Sequence, residues 1–313
     1  MKYIVKKIIT LIITLLIVSL LAFLAFQIIS GDPATAKLGT NATPESLAAL
    51  RHAMGLDRPV YVRYFEWIRN FLRWDFGTSY SYSMPVTEML ADKLPVTFAL
   101  TLLSFVFLVV FSIPLGILAA KHKGGLFDRI ITVTDQVVMS IPAFFIGILF
   151  CYLFGILFRL FIPGQFVSFS ESPGRFLGYL IFPALAIAIP RIAMTVKMLR
   201  ASILEESGRD YVRTAYSRGN SAATALHRHV LKNALIPIIT FIAVSMAEIV
   251  AGSIIIEQVF TIPGIGRLLL SSISNRDYPV VQAIVVLIAF WVVLVNFLAD
   301  MLYQLVDPRI RLK

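Results

Sequence analysis

Residues 210–237 read DYVRTAYSRGNSAATALHRHVLKNALIP, a polar, basic stretch set between two long apolar runs. Tyr211–Arg218 reads as a short helix that Asp210 can N-cap and that Gly219 can end in a left-handed conformation. Asn220 and Ser221 turn the chain, Ser221 caps again, and Ala222–Asn233 makes a second helix. Pro237 falls near the start of the next apolar run, where a missing N–H costs little. A membrane-spanning chain is thus interrupted on one side by a compact helix–turn–helix. Its small residues, Ala215 and Gly219, leave room for a partner to approach closely. A stiff short helix can also pass a push to the runs on either side.

Working outward, the surrounding chain is 313 residues long, 58% hydrophobic and only 15% charged, which places it among polytopic membrane proteins. Six apolar runs, near 8–29, 97–120, 130–158, 178–198, 235–257 and 280–304, are each long enough to span a hydrocarbon core of roughly 30 Å. The expected fold is therefore all-α with six transmembrane helices. Ala34-Thr35-Ala36 resembles a signal-peptidase site, but the preceding run exceeds the about 7–15 residues of a signal core, so it reads as an uncleaved first helix. The one cysteine, Cys151, lies in an apolar run, where packing is its expected role.

Placement of the basic residues sets the orientation. With the N-terminus inside, short loops on that side hold sixteen Lys and Arg residues, and the opposite short loops hold four, Arg159, Arg175, Arg267 and Arg276. Both termini and the 205–237 loop are then cytoplasmic, and the +10 net charge reflects this bias rather than nucleic-acid binding. The expected organisation is a first helix over 1–30, an extracytoplasmic region over 31–96, a five-helix core over 97–304 and a cytoplasmic tail over 305–313. Within the extracytoplasmic region, Tyr61, Phe65, Ile68 and Leu72 recur at helical spacing. That stripe either packs on the transmembrane helices or lies at the outer interface. Between the fifth and sixth runs, Glu257–Arg267 (EQVFTIPGIGR) reads as a re-entrant or capping hairpin at the outer mouth.

Charges inside the runs need a partner or a task. Asp135 and Arg191 fall at similar depths from the cytoplasmic side and are expected to form a structural ion pair. Glu248 lies near the middle of its run, with Ser245 and Gly252 on the same helical face. Two readings stay open there: a carboxylate lining a watery path and favouring cationic cargo, or a neutral acid hydrogen-bonded to a neighbouring helix. His227 and His229 stand two apart and share no helical face, and no metal site is expected. No Gly-x-x-x-x-Gly-Lys phosphate loop and no paired nucleophile and base occur, so neither ATP binding nor catalysis is expected of this chain.

The 210–237 stretch resembles the EAA loop of ABC-importer permeases, with Ala215 and Gly219 on its second Ala and its Gly and Pro237 on a downstream proline. Arg213, Thr214 and Lys232 depart from the general form; RTAYSRG…RHVLKNALIP is instead similar to the variant in the dipeptide/oligopeptide/nickel permease family. Gly31-Asp32-Pro33, Leu56-Asp57-Arg58-Pro59, Asp75–Ser79 (DFGTS), Leu94–Thr97 (LPVT), Glu257–Arg267, Arg276–Pro279 (RDYP) and Asp307-Pro308-Arg309 match that family's pattern in order.

This resemblance implies a type I importer permease in the inner membrane of a prokaryote, carrying peptides or, alternatively, nickel or a metal chelate. It implies a second homologous permease subunit, two cytoplasmic ATPase subunits that bind ATP and Mg, and an extracytoplasmic solute-binding protein. Arg213, Thr214, Ala215 and Gly219 would couple to the ATPases. Glu257, Phe260, Pro263 and Gly264 would form an outer gate or meet the binding protein. Outside the family, two readings stand against these: a basic surface under an anionic leaflet for the loop, and a stand-alone proton-coupled transporter with Glu248 and Asp135 as relays.

Overall fold

A computed structural model describes residues 2–29, 34, 38, 43–53 and 56–306. Within them the chain is helical: α1 (Lys2–Ile29), α2 (Pro44–Ala53), α3 (Val60–Phe71), α4 (Val86–Ala91), α5 (Leu94–Lys121), α6 (Leu126–Met139), α7 (Ala143–Phe150), α8 (Pro173–Ser207), α9 (Asp210–Ser217), α10 (Ala222–Ala225), α11 (Leu231–Val259), α12 (Ile265–Ser274) and α13 (Tyr278–Val306). The Gly31-Asp32-Pro33 and Asp307-Pro308-Arg309 strings lie outside the described residues. Among those described, five helices are long and apolar enough to cross a membrane, and a bent pair makes up to six.

That bent pair corrects the expectation of one unbroken third span. α6 and α7 meet at 101° across Ser140-Ile141-Pro142. Pro142 lacks the N–H that would continue the ladder and drives Ile141 out of helical geometry. α7 then runs on into a π-helical turn over Cys151–Leu157.

The chain divides into two compact units, residues 1–97 with 263–294, and residues 98–262 with 295–313. In the first, an aromatic ladder joins α1 to α3: Phe23 meets Tyr64 at 5.5 Å and Trp67 at 5.8 Å, and Trp67 passes the contact to Phe71 and Phe76. The Ser19 and Tyr64 hydroxyls share a 2.9 Å hydrogen bond. The face so packed is not the expected one. Tyr61, Phe65 and Leu72 are exposed, which corrects the packed reading of that stripe; Tyr64, Trp67 and Phe71 make the internal contacts instead.

The first unit also closes around Asp277, which is fully buried. Its carboxylate accepts from the Ser79 hydroxyl at 2.5 Å and from the Tyr80 and Ser81 backbone N–H groups at 2.9 and 3.4 Å. Arg276, just before it, adopts a left-handed conformation (φ 54°). Burial, the largest influence on the neighbouring Tyr80 phenol, pushes it up to about 12. The two family-like strings DFGTS and RDYP are thus halves of one clasp.

In the second unit α8 is the central post, packed on by α6, α7 and α11. Gly116 of α5 shows how closely a neighbour approaches: a Cβ built there would stand 2.8 Å from a Leu199 methyl. Small residues at such crossings let transmembrane helices gain dispersion contacts that lipid cannot supply selectively. Near the end of α8, Arg200 forks onto Asp128, at 2.5 and 2.8 Å, while the Gly124 N–H donates to the same carboxylate at 2.8 Å.

Candidate functional site: the 208–221 elbow and the face of α8 and α11

α9 begins directly after Gly208-Arg209, only a turn beyond the end of α8. Arg209 takes the cap position with extended backbone and Asp210 is the first helical residue, which corrects the expectation that Asp210 caps. Its carboxylate sits in the first turn, where the helix dipole favours an anion. Gly219 does adopt the left-handed conformation, at φ 83°. Asn220 then folds back and donates from both its backbone and its side chain to the Ala215 carbonyl, at 3.2 and 3.0 Å. Ser221 caps the next helix through the Thr224 N–H.

The elbow has an inner and an outer face. Val212 and Ala215 are buried. Ala215 is therefore small to suit its own chain, a correction to its expected use as space for a partner. At the exposed junction with α8, the Tyr211 hydroxyl donates to Glu206 at 2.6 Å, and Arg209 pairs with Glu205 at 2.9 Å. Arg213, Thr214, Tyr216, Ser217, Arg218 and Gly219 are exposed. Helical spacing places Arg213, Tyr216 and Ser217 together on that outer face.

The second helix was expected to stop at Asn233. It continues instead from Ala222 to Val259 through a π-helical turn over Leu226–Val230, so Pro237 lies inside a helix rather than near its start. Ser202 of α8 donates to the Ala234 carbonyl at 3.0 Å, close to the point where the proline interrupts the ladder. The elbow is consequently joined without a loop to a membrane-crossing rod on its C-terminal side.

Farther along these two helices, Arg191 forms an ion pair with Glu248. This corrects the expected Asp135–Arg191 pair: Asp135 is buried on α6 and makes no ion pair among the described residues, with Lys197 the cation whose field reaches it. Depth along a span suggested Asp135, but direction around the helix selects Glu248. The pair remains open on the chain's surface, 34% exposed at Arg191 and 46% at Glu248. Either charge alone at the centre of a span would cost about 2.5–3.5 kcal/mol.

The expected polar stripe does not survive intact. Ser245 is buried and donates to the Phe241 carbonyl at 2.8 Å, so it is corrected from a lining residue to an internal one. Gly252 stands in ordinary contact range of Ile187. The exposed stripe along α11 is instead Val244, Glu248, Ala251, Ile255 and Gln258.

Glu257 and Phe260, expected at an outer gate or against a binding protein, are fully buried within the chain. Phe260 stacks on Phe161, and its carbonyl accepts from the Tyr179 hydroxyl at 2.6 Å. Thr261, left-handed at φ 57°, turns the chain after α11. Pro263 is half-buried, and buried Gly264 caps α12. The string 257–267 is therefore a helix end, a tight turn and a new helix start. Sequence reasoning missed Asp277 with Ser79 and Asp128 with Arg200. Their only advance signal was that Asp277 and Ser79 each sit in a string matching the family pattern.

Two family models cover nearly all of this chain. Residues 112–312 match "Binding-protein-dependent transport system inner membrane component", and residues 1–101 match the corresponding N-terminal model. The chain is 36% identical, over 99% of both sequences, to a probable peptide ABC transporter permease protein, y4tP, of Sinorhizobium fredii. It is 34% identical to the oligopeptide transport system permease protein AppB of Bacillus subtilis, over 98% of both. It is also 34% identical, over the whole of both, to the glutathione transport system permease protein GsiC of Salmonella choleraesuis.

Proposed function

Because this chain belongs to the family of binding-protein-dependent transport system inner membrane components, we propose that it forms half of the peptide path of an ATP-driven importer. Membership makes it a transport component rather than an enzyme and brings two kinds of partner, a solute-binding protein and ATPases. In our reading the other half is a second, homologous permease subunit. Two cytoplasmic ATPase subunits supply ATP and Mg, both termini face the cytoplasm, and the membrane is the inner membrane of a prokaryote.

The observation that carries the coupling role is the two-faced elbow. Its apolar side is spent on its own chain, while Arg213, Thr214, Tyr216 and Gly219 are presented outward on a segment joined by short turns to two membrane-crossing helices. Closure of the ATPase pair on ATP would move α9 as a rigid lever, and α8 and α11 would carry the motion between inward-open and outward-open packings. Peptide as cargo rests on full-length similarity to a peptide, an oligopeptide and a glutathione permease.

Reconstitution tests this directly. Liposomes holding this chain with its permease partner and ATPases, supplied with the binding protein, should accumulate labelled peptide only with hydrolysable ATP. Uptake that ignores ATP and collapses with the proton gradient would refute the importer reading. Accumulation of nickel but not peptide would refute the cargo.

A further inference from the structure

Arg191 and Glu248 pair in the middle of two helices that cross the membrane, yet roughly a third to a half of each side chain is left uncovered by the chain itself. The stripe that carries Glu248 on α11 is otherwise Val244, Ala251, Ile255 and, toward the outer end, Gln258. Hydrocarbon is a poor cover for two open charges. Water, or a ligand travelling through it, can solvate both. The pair is also neutral as a whole, so it offers no preference for cationic or anionic cargo, unlike the lone carboxylate of one of the two readings of Glu248.

We propose that the Arg191–Glu248 pair is the cargo contact of the translocation path and that it fits zwitterions, molecules with a free ammonium and a free carboxylate. The inference rests on the peptide-importer reading above. The ammonium end exchanges for Arg191 on the Glu248 carboxylate, and the carboxylate end exchanges for Glu248 on the Arg191 guanidinium, whose planar fork suits carboxylate geometry. Opening the pair costs little when each half is re-paired at once, so cargo passes without a charge being left alone in the membrane. When cargo leaves, the two side chains close on each other and the path is neutral again.

The assembled importer in liposomes, with binding protein at saturation, separates a cargo contact from a purely structural pair. The probes are labelled di-, tri- and pentaalanine with free ends. R191Q and E248Q should each lower uptake at least tenfold. R191Q/E248Q should remain at least tenfold down, because no charge is left to receive either terminus, and R191E/E248R, which restores both charges, should return to within about threefold of the unmodified complex. A purely structural pair behaves otherwise: neutralising both partners removes the unpaired charge and restores function. Uptake by R191Q/E248Q at the unmodified rate, its failure to assemble with the ATPases, or an R191E/E248R no better than R191Q/E248Q would each overturn the inference. Absence of import of all three peptides by the unmodified complex is a different result, which refutes the peptide reading and the inference with it.

Discussion

The Asp277 carboxylate and the Ser79 hydroxyl meet at 2.5 Å, although 198 residues separate them in the chain. Because the same carboxylate holds the Tyr80 and Ser81 N–H groups, one buried acid closes the 79–82 turn. Asp277→Ala strands these donors in a dry site and should destabilise the protein by about 2–3 kcal/mol. Ser79→Ala removes one donor to the carboxylate and the acceptor of the Tyr82 N–H, leaves the Tyr80 and Ser81 contacts in place, and should cost less. Thermal unfolding of the detergent-purified chain, with proteolysis mapped to residues 77–86, checks the order Asp277→Ala worse than Ser79→Ala.

Arg200 and Asp128 make a second such fastening, with Asp128 almost wholly buried. A lysine carries the charge but not the planar fork, so Arg200→Lys should lose about 1–3 kcal/mol. Asp128→Asn should cost a similar amount, and the double variant should cost less than the two added together. A double-mutant cycle on unfolding midpoints reads this; strict additivity would mean the contact contributes nothing.

Gly116 leaves no space for a side chain beside Leu199. Gly116→Leu should force α5 away from α8 and cost about 1–3 kcal/mol or more by overpacking. Gly116→Ala combined with Leu199→Ala should cost less than the two single losses added together, because the truncated leucine no longer crowds the new methyl with its Cγ and Cδ atoms. Yield and thermal stability of the purified chain measure both.

These contacts mark what the sequence did and did not make legible. Long apolar runs announce spanning helices, since roughly 20 apolar residues have few other uses, and the polar interruption at 210–237 is equally plain, although its second half proves to be the start of the next long helix. Pro142 was visible but masked by the apolar residues around it, so the break between α6 and α7 went unread. The stripe Tyr61-Phe65-Ile68-Leu72 competed with a second aromatic set, Tyr64-Trp67-Phe71, and helical spacing alone does not say which one finds a partner. Arg191 illustrates the same limit. Depth along a helix is countable from sequence, but the neighbour it faces, Glu248 rather than Asp135, follows from packing. Asp277 with Ser79 is beyond any local pattern.

Gly219 carries a turn that a side chain strains, at φ 83°. Gly219→Arg should insert normally yet lose ATP-driven uptake, whereas Gly219→Asn, a residue that tolerates the left-handed region, should keep most of it. Uptake assays on the two variants at equal membrane expression decide this, and equal loss in both would mean that the turn geometry is not what matters.

The central claim is that the exposed face of α9 seats an ATPase. Thr214→Cys, placed on that face in a Cys151→Ser background that leaves no other cysteine, can be labelled with a short thiol-reactive photo-cross-linker, whose light-activated end inserts into any neighbouring chain, in membranes containing the whole importer. The account predicts a covalent adduct between this chain and the ATPase subunit, altered in yield when ATP is added. An adduct with no ATPase under either condition, from a complex that still imports peptide, would contradict it.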